Sequence, residues 1–267
     1  MTATDAAFTG AIPQIYDRRL GSFLFEPYAR DLARRLAGFG GDLLETAAGT
    51  GIVTRELSGA LEEARIVATD LNPAMLEHAA GRLPDAPVRW RQADALELPF
   101  EAAAFDAVVC QFGAMFFPDR IRGYAEARRV LRPGGRFLFS VWDRLEENEA
   151  ALAVHEAVAA QFPDDPPGFI RRTPHGYFDR DRIRADLRAA GFEDIEIETV
   201  PARGRAARAE DPAIGLCQGS PLRNEIEARN GGRLQAVTEA AALAVADRFG
   251  LGPIDTRIQA VVIEARV

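Results

Sequence analysis

Between Phe23 and Leu36 apolar side chains recur at three- and four-residue steps: Phe25, Tyr28, Ala29, Leu32, Ala33 and Leu36 fall on one face, with arginines between them. That spacing predicts an amphipathic helix, which Gly38, Gly40 and Gly41 bring to an end. Residues 42–45 then make a short apolar strand closing on an acid. A helix follows whose buried face carries Val53, Leu57 and Leu61. Residues 65–70 form a second strand, again closing on an acid. Asn72 caps the next helix with Pro73 at its first position, and Leu76, Ala79, Ala80 and Leu83 supply its stripe. Strands at 88–92, 106–111 and 136–142 follow, the last two separated by a helix over 119–131 and the Pro133-Gly134-Gly135 turn.

Strands alternating with helices predict an α/β chain with a doubly wound, mostly parallel sheet, whose ligands collect at the carboxyl ends of the strands. Past Asp143 the pattern loosens into a helix over 148–161 and a Pro/Asp/Gly loop over 162–168. Regularity returns with a helix over 181–190, ended by Gly191, and strands at 195–200 and 258–265. A hairpin between those strands would need far fewer residues than separate them. The intervening segment reads as helical, with Ser220 and Pro221 starting one turn and Leu234, Val237, Ala241, Val245 and Phe249 making a stripe. The expected organisation is therefore an N-terminal helix and cofactor-binding half over 1–142, an excursion over 143–180, the last helix and strands of the sheet over 181–204 and 256–267, and a helical cap insertion over 205–255. Excursion and insertion together are expected to roof the ligand edge.

Composition narrows the chemistry. Of 267 residues 48% are hydrophobic and 27% charged, which is ordinary for a globular chain. The balance of 32 basic against 40 acidic residues, a net charge of −8, disfavours a nucleic-acid partner. All of the basic residues are arginines; the chain has no lysine. Schiff-base, pyridoxal-phosphate and P-loop chemistry, which need an ε-amine, are thereby excluded. Cys110 and Cys217 lie far apart without a CxxC companion, which argues against a disulfide framework and a structural zinc site, so no metal is expected. Cytoplasmic residence is the default. Met1 to Gly10 carries no basic flank before an apolar run, and no stretch reaches the length of a membrane span.

The informative segment is Leu43-Leu44-Glu45-Thr46-Ala47-Ala48-Gly49-Thr50-Gly51, a strand emptying into a loop of small residues and then a helix N-terminus. Small side chains let a ligand touch the backbone there. Alone this describes any doubly wound dinucleotide or phosphate binder. Asp70, nineteen residues after Gly51, sits where a carboxylate can accept from two ribose hydroxyls, and Asp94, just beyond the third strand, can accept from an exocyclic amine.

These residues resemble the class I S-adenosylmethionine-dependent methyltransferases, in particular their small-molecule (type 11, UbiE-like) branch. The similarity covers residues 40 to 142. The family's loop reads acid-x-Gly-x-Gly-x-Gly; Glu45, Gly49 and Gly51 match it, and Ala47 replaces the first glycine. Asp70-Leu71-Asn72-Pro73-Ala74-Met75-Leu76, Ala93-Asp94-Ala95-Leu96-Glu97-Leu98-Pro99-Phe100, Gln111-Phe112-Gly113-Ala114-Met115-Phe116-Phe117 and Leu131-Arg132-Pro133-Gly134-Gly135 are similar to further family segments.

The resemblance implies a seven-stranded Rossmann-like fold and S-adenosyl-L-methionine as cofactor, with S-adenosyl-L-homocysteine as product. It implies that Asp70 holds the ribose diol, that Leu71 and Met75 flank the adenine, and that Asp94 with Ala95 reads its edge. The loop of Glu45, Thr46, Ala47, Gly49 and Gly51 would receive the methionine part, Gln111 and Phe112 would face the sulfonium and the acceptor, and Tyr16 and Arg30 would close over the methionine carboxylate.

In-line displacement at a carbon already activated by sulfur needs alignment and exclusion of water more than a base. His155, His175 and Tyr177 are the weak candidates should a base be used, although surface or structurally satisfied histidines are the commoner case. Met75, Phe116 and Phe117 also read as core residues, and Cys110 as a buried thiol without a role. The expected activity is methyl transfer to a small-molecule acceptor, with no nucleic acid and no membrane span, and with homodimerisation allowed.

An NAD(P)-dependent oxidoreductase is the alternative, but its glycine motif would require glycine or alanine where Thr54 stands, and it has no use for Glu45 or Asp94. A non-catalytic cofactor-binding relative is the other alternative. Gln111-Phe112-Gly113-Ala114 lacks the Pro-Pro-aromatic run of amino-directed DNA enzymes, and Val109 before Cys110 excludes the Pro-Cys nucleophile of cytosine enzymes.

Overall fold

The computed structural model describes residues 12–267; the reading of Met1 to Gly10 lies outside the described residues. Seven strands form one sheet in the order β3-β2-β1-β4-β5-β7-β6. They are β1 (Asp42–Glu45), β2 (Arg65–Asp70), β3 (Val88–Gln92), β4 (Phe105–Gln111), β5 (Leu131–Trp142), β6 (Asp194–Ala206) and β7 (Ile254–Arg266). β1 pairs in parallel with β2 and β4, β2 with β3, and β4 with β5, while β7 runs antiparallel to β5. The fold is the doubly wound, mostly parallel α/β architecture that the alternation predicts. Its strand order reverses between β1 and β4, where an open α/β sheet offers a crevice.

The chain divides by its internal contacts into two units. The sheet unit comprises Tyr28–Trp142, Tyr177–Val200 and Ala260–Val267. Its core is the apolar middle of the sheet, where Leu43, Leu44, Ala107, Val108, Val109, Leu138 and Phe139 are fully buried. Near-continuous apolar runs of this kind mark strands covered on both faces. Its helices include α2 (Glu26–Arg35), α3 (Ile52–Ala60), α4 (Pro73–Arg82) and α5 (Arg120–Val130). As predicted, Asn72 caps α4, its side chain accepting from the Ala74 N–H at 3.0 Å.

The helical unit comprises the described residues through Pro27, Asp143–Gly176 and Pro201–Gln259. In it α1 (Ile12–Leu20) packs on α9 (Glu210–Gln218), and α11 (Leu234–Phe249) packs on α9 and on α6 (Glu149–Ala160). Gly215 leaves no room for a Cβ beside Leu20, which is how α1 and α9 approach so closely. Two short helices, α7 (Phe169–Arg172) and α10 (Leu222–Asn230), are tied together by Glu225, whose Oε2 accepts from the Gly168 and Phe169 N–H groups while Oε1 pairs with Arg172.

Three features depart from the sequence reading. Residues up to Pro27 cluster with the helical segments, not with the sheet. The helix expected over 23–36 is α2 preceded by a π-helical turn, Gly21–Phe25. β6 continues past Val200 through Pro201, at the edge of the sheet, where a proline is tolerated.

Asp179 caps α8 (Arg180–Ala189) by accepting from the Asp181 and Arg182 N–H groups at 2.9 and 3.1 Å. Its side chain is exposed and, among the described residues, serves no other partner. Asp179→Ala is expected to lower stability by about 1 kcal/mol, read as a lower urea midpoint with an unchanged slope.

Candidate active site

β1 ends at Glu45, and the chain passes through Thr46–Gly51 into α3. Three positions in that passage have left-handed backbone: Ala47 (φ 53°), Gly49 (φ 57°) and Gly51 (φ 79°). The passage is laced to its neighbours, with the Thr46 N–H donating to the Val109 carbonyl on β4 and the Ala48 N–H to the Thr69 carbonyl on β2, each at 2.9 Å. A side chain at Gly51 would collide with Ala79 of α4, whereas one at Gly49 would enter open space. Gly51 therefore serves packing, and Gly49 keeps the backbone accessible.

Asp70 joins the loop to the end of β2. Its Oδ2 accepts from the Gly49 N–H and its Oδ1 from the Asn72 N–H, both at 2.8 Å. Burial pushes its carboxyl upward, opposed by the backbone N–H groups of Asn72, Gly49 and Leu71. Each oxygen retains acceptor capacity beyond these bonds. Leu71, the next residue, is 58% exposed, an unusual position for so large an apolar side chain.

Glu45 lies beneath the loop, 1% exposed, and its Oε2 accepts from the Thr54 hydroxyl at 2.7 Å. Desolvation, reinforced by the Asp70 charge and opposed by Thr54, raises its carboxyl to about 8. At neutral pH Glu45 thus holds a proton that a nearby cation would displace. Thr54, which stands where a dinucleotide-binding motif would carry glycine or alanine, is the hydroxyl that satisfies this acid. The Thr50 hydroxyl is buried without a hydrogen-bond partner among the described residues.

At the end of β4, Phe112 also has left-handed backbone (φ 52°). Two contacts hold it there: its N–H donates to the Ser140 carbonyl at 3.0 Å, and its ring stacks on Trp142 at 3.8 Å with an interplanar angle of 4°. Tyr28 packs edge-on against both rings. Gln111, beside Phe112, is half-buried. Gly113 abuts the loop after β1, since a Cβ there would come within 2.5 Å of the Ala47 Cβ and 2.8 Å of the Cys110 Sγ.

Beyond β3, Asp94 is exposed and its Oδ1 accepts from the Leu96 N–H at 2.9 Å, with Ala95 half-exposed between them. Met75 is 4% exposed within α4 and serves the core. The sheet unit thus brings Glu45, Thr46, Ala47, Gly49, Gly51, Asp70, Leu71, Gln111 and Phe112 to the carboxyl ends of β1, β2 and β4. Arg30 lies on α2, its side chain 60% exposed, with Nε 3.7 Å from Glu56 Oε2. Tyr16 belongs to the helical unit, where its ring stacks on Phe25.

Two of the three candidate bases are engaged by other groups. Tyr177 is buried in the sheet unit, donates to Asp186 at 2.7 Å, and has its hydroxyl pushed upward by burial. His175, in the helical unit, is buried with Nδ1 2.8 Å from the Asp143 carbonyl, and desolvation lowers it to about 4. His155 is half-buried and is also pushed down, by desolvation and then by Arg171. Tyr177 and His175 read as structural residues. The Cys110 thiol, pushed up to about 11 by burial, stays protonated, in keeping with a residue that has no role in chemistry.

The sequence reading missed Thr50, Trp142 and Tyr28. Only Thr50 carried a local signal, as a hydroxyl between the two glycines.

An accessible Gly49, an unpartnered buried Thr50 hydroxyl, a carboxylate on fixed backbone N–H groups, an exposed Leu71 and a neutral buried acid together fit a nucleoside ligand that carries positive charge. Known proteins agree. The methyltransferase domain family matches residues 44–139. The chain is 41% identical over 98 residues to the demethylmenaquinone methyltransferase of Deinococcus radiodurans, covering 36% of this chain and 41% of that protein. It is 31% identical over 218 residues to the malonyl-[acyl-carrier protein] O-methyltransferase of Geobacter sulfurreducens, covering 78% and 76%.

The chain belongs to the class I S-adenosylmethionine-dependent methyltransferases.

It spans about two fifths of the length of the Deinococcus methyltransferase, and the segment that matches the methyltransferase domain family contains the loop, Asp70 and Asp94. Among solved structures the phosphoethanolamine N-methyltransferase 2 of Haemonchus contortus, crystallised with S-adenosylhomocysteine, has the same fold at a TM-score of 0.63 and 17% identity, covering 100% of this chain and 61% of that one. Ala47 is this chain's departure from the family loop, and its left-handed φ is a conformation that glycine adopts at no steric cost.

Two outcomes follow from this geometry. Gly113→Ala is expected to cost roughly 2 kcal/mol by overpacking against Ala47 and Cys110. Ala47→Gly is expected to be close to neutral alone and to recover part of that loss in the double variant, a coupling read from denaturation midpoints. Glu45 binds a proton in the native state that the unfolded chain has already released. Its contribution to stability therefore falls as pH rises from about 4.5 toward about 8 and is constant beyond. Urea midpoints at about pH 5 and about pH 9 should differ less in Glu45→Gln than in the parent.

Proposed function

We propose that this chain transfers the methyl group of S-adenosyl-L-methionine to a small-molecule acceptor by in-line displacement. When bound, the cofactor supplies a sulfonium methyl whose carbon–sulfur bond breaks with its electron pair going to sulfur, while the acceptor's lone pair forms the new bond to carbon. The chain's task is then to bind, orient and exclude water. The observation that carries the reading is the Asp70 carboxylate, fixed by the Gly49 and Asn72 N–H groups with acceptor capacity to spare for a ribose diol.

In this reading Leu71 lies against the adenine, Asp94 and Ala95 take its amino edge, and Gly49 and the Thr50 hydroxyl receive the methionine portion. Glu45 gives up its proton to oppose the cofactor's positive charge. Gln111 and Phe112 face the reacting methyl, the ring held by Trp142. Arg30, in the sheet unit, is the proposed partner of the methionine carboxylate. Neither His175 nor Tyr177 enters the reaction.

The two relatives named above methylate different kinds of molecule, and the proposal takes from them only that the acceptor is a small or carrier-bound molecule. No helix among the described residues is long and apolar enough to cross a membrane. Both cysteines are free and buried, which suits a reducing compartment, and the cytoplasm is the proposed location. A homodimer remains allowed and contributes no residue to the proposal.

Calorimetric titration with S-adenosylhomocysteine should show saturable one-site binding, and NADH none. Asp70→Asn should weaken S-adenosylhomocysteine by roughly tenfold or more and Asp70→Ala by roughly a hundredfold, with far-UV circular dichroism unchanged. Unaltered affinity in both variants would remove Asp70 from the site. Methyl transfer from labelled cofactor to a panel of phenol, thiol, amine and carboxylate acceptors tests the activity itself.

A further inference from the structure

The opposite face of the same strands carries a second concavity, built wholly within the sheet unit. Cross-strand partners Asp42 and Arg65, Leu44 and Val67, Val67 and Arg89, and Thr69 and Arg91 place Asp42, Arg65, Val67, Arg89 and Arg91 on one face of the sheet. Phe100 and Phe105 pack edge to face at 5.1 Å, and with these residues they line a cavity of about 630 Å³. That is the size of a small-molecule site.

The charge in this cavity is opposite to that of the whole chain. Three guanidinium groups, Arg65, Arg89 and Arg91, face one carboxylate, Asp42, for a local net of two positive charges in a protein of net −8. Asp42 is already committed, since Arg65 Nε donates to it at 2.6 Å and Arg132 at 3.0 Å. Among the described residues Arg89 and Arg91 make no ion pair or hydrogen bond. Arg91 is nonetheless oriented, its guanidinium lying 4.9 Å over the Phe100 ring.

Side chains two residues apart on one strand face stand roughly 7 Å apart. A carboxylate is satisfied by one guanidinium fork, whereas a phosphate monoester presents three oxygens and can be gripped by two. Val67, Phe100 and Phe105 offer an apolar wall to whatever the phosphate is attached to.

We infer that this cleft is a second ligand site, specific for a phosphate monoester attached to an apolar or aromatic group. It is independent of the cofactor reading, because Arg65, Arg89 and Arg91 project from the face of the sheet opposite to the one that carries Glu45 and Asp70, whose partners Ala68 and Gln92 alternate with theirs along β2 and β3.

The test uses 1-naphthyl phosphate as probe, titrated calorimetrically into the full chain, with 1-naphthol as the uncharged control and S-adenosylhomocysteine as a separate ligand. The expected result is one-site binding of the phosphate that weakens with added salt, is at least roughly tenfold tighter than that of the naphthol, and falls roughly tenfold in each of Arg89→Ala and Arg91→Ala. S-adenosylhomocysteine affinity should be the same in parent and variants, which also reports that they are folded. Absence of phosphate binding, equal binding of naphthol, or binding that survives Arg89→Glu together with Arg91→Glu would each overturn the inference. Loss of S-adenosylhomocysteine binding by the parent protein would instead count against the proposed methyl transfer.

Discussion

The site depends on one buried carboxylate and the two amides that hold it. By accepting from Gly49 and Asn72, Asp70 ties the end of β2 both to the loop after β1 and to the start of α4. The orphan N–H groups of a tight left-handed loop would otherwise need water. Using an acid to satisfy them places a negative charge at the switch point of the sheet, where a ligand enters. Structural and ligand-binding demands thus fall on the same two oxygens, so removing Asp70 loosens the loop as well as deleting an acceptor.

Glu45 shows the opposite economy. It is fully enclosed, with Thr54 donating to it, so desolvation wins and the acid stays protonated at neutral pH. A neutral acid below an anionic one avoids placing two like charges in a low-dielectric pocket. The arrangement prepares a site whose negative charge increases when positive charge arrives. Cofactor binding near neutral pH would accordingly release a proton, a linkage that Asp70, already engaged by amides, does not supply by itself.

Much of the sheet was legible because its strands are short apolar runs bounded by acids, glycines and caps. β1, β2 and β3 fall at the residues their patterns predict, and Asn72 with Pro73 starts α4. The helices at the beginning of the chain were less legible. Pro13 and Gly21 punctuate α1 and the π-helical turn, and α1 packs on distant α9, which no local pattern announces. Within the site, Glu45, Gly49 and Asp70 are visible as spacing. Thr54, by contrast, appeared only as a departure from a glycine motif, because its role is to satisfy a residue nine positions earlier. Trp142 and Tyr28 were hidden because stacking on Phe112 joins elements far apart in sequence. The bases suggested by residue type alone, His175 and Tyr177, turn out to spend their polar atoms on a carbonyl and a carboxylate.

The contact between Ala47 and Gly113 has a mechanical meaning. Two loops that approach until a single methyl fills the gap cannot shift separately, so displacement of the one after β1 is transmitted to Phe112 at the end of β4. A molecule settling on the first loop would be sensed by the aromatic ring beyond the second without any hinge, through steric gearing between two small residues.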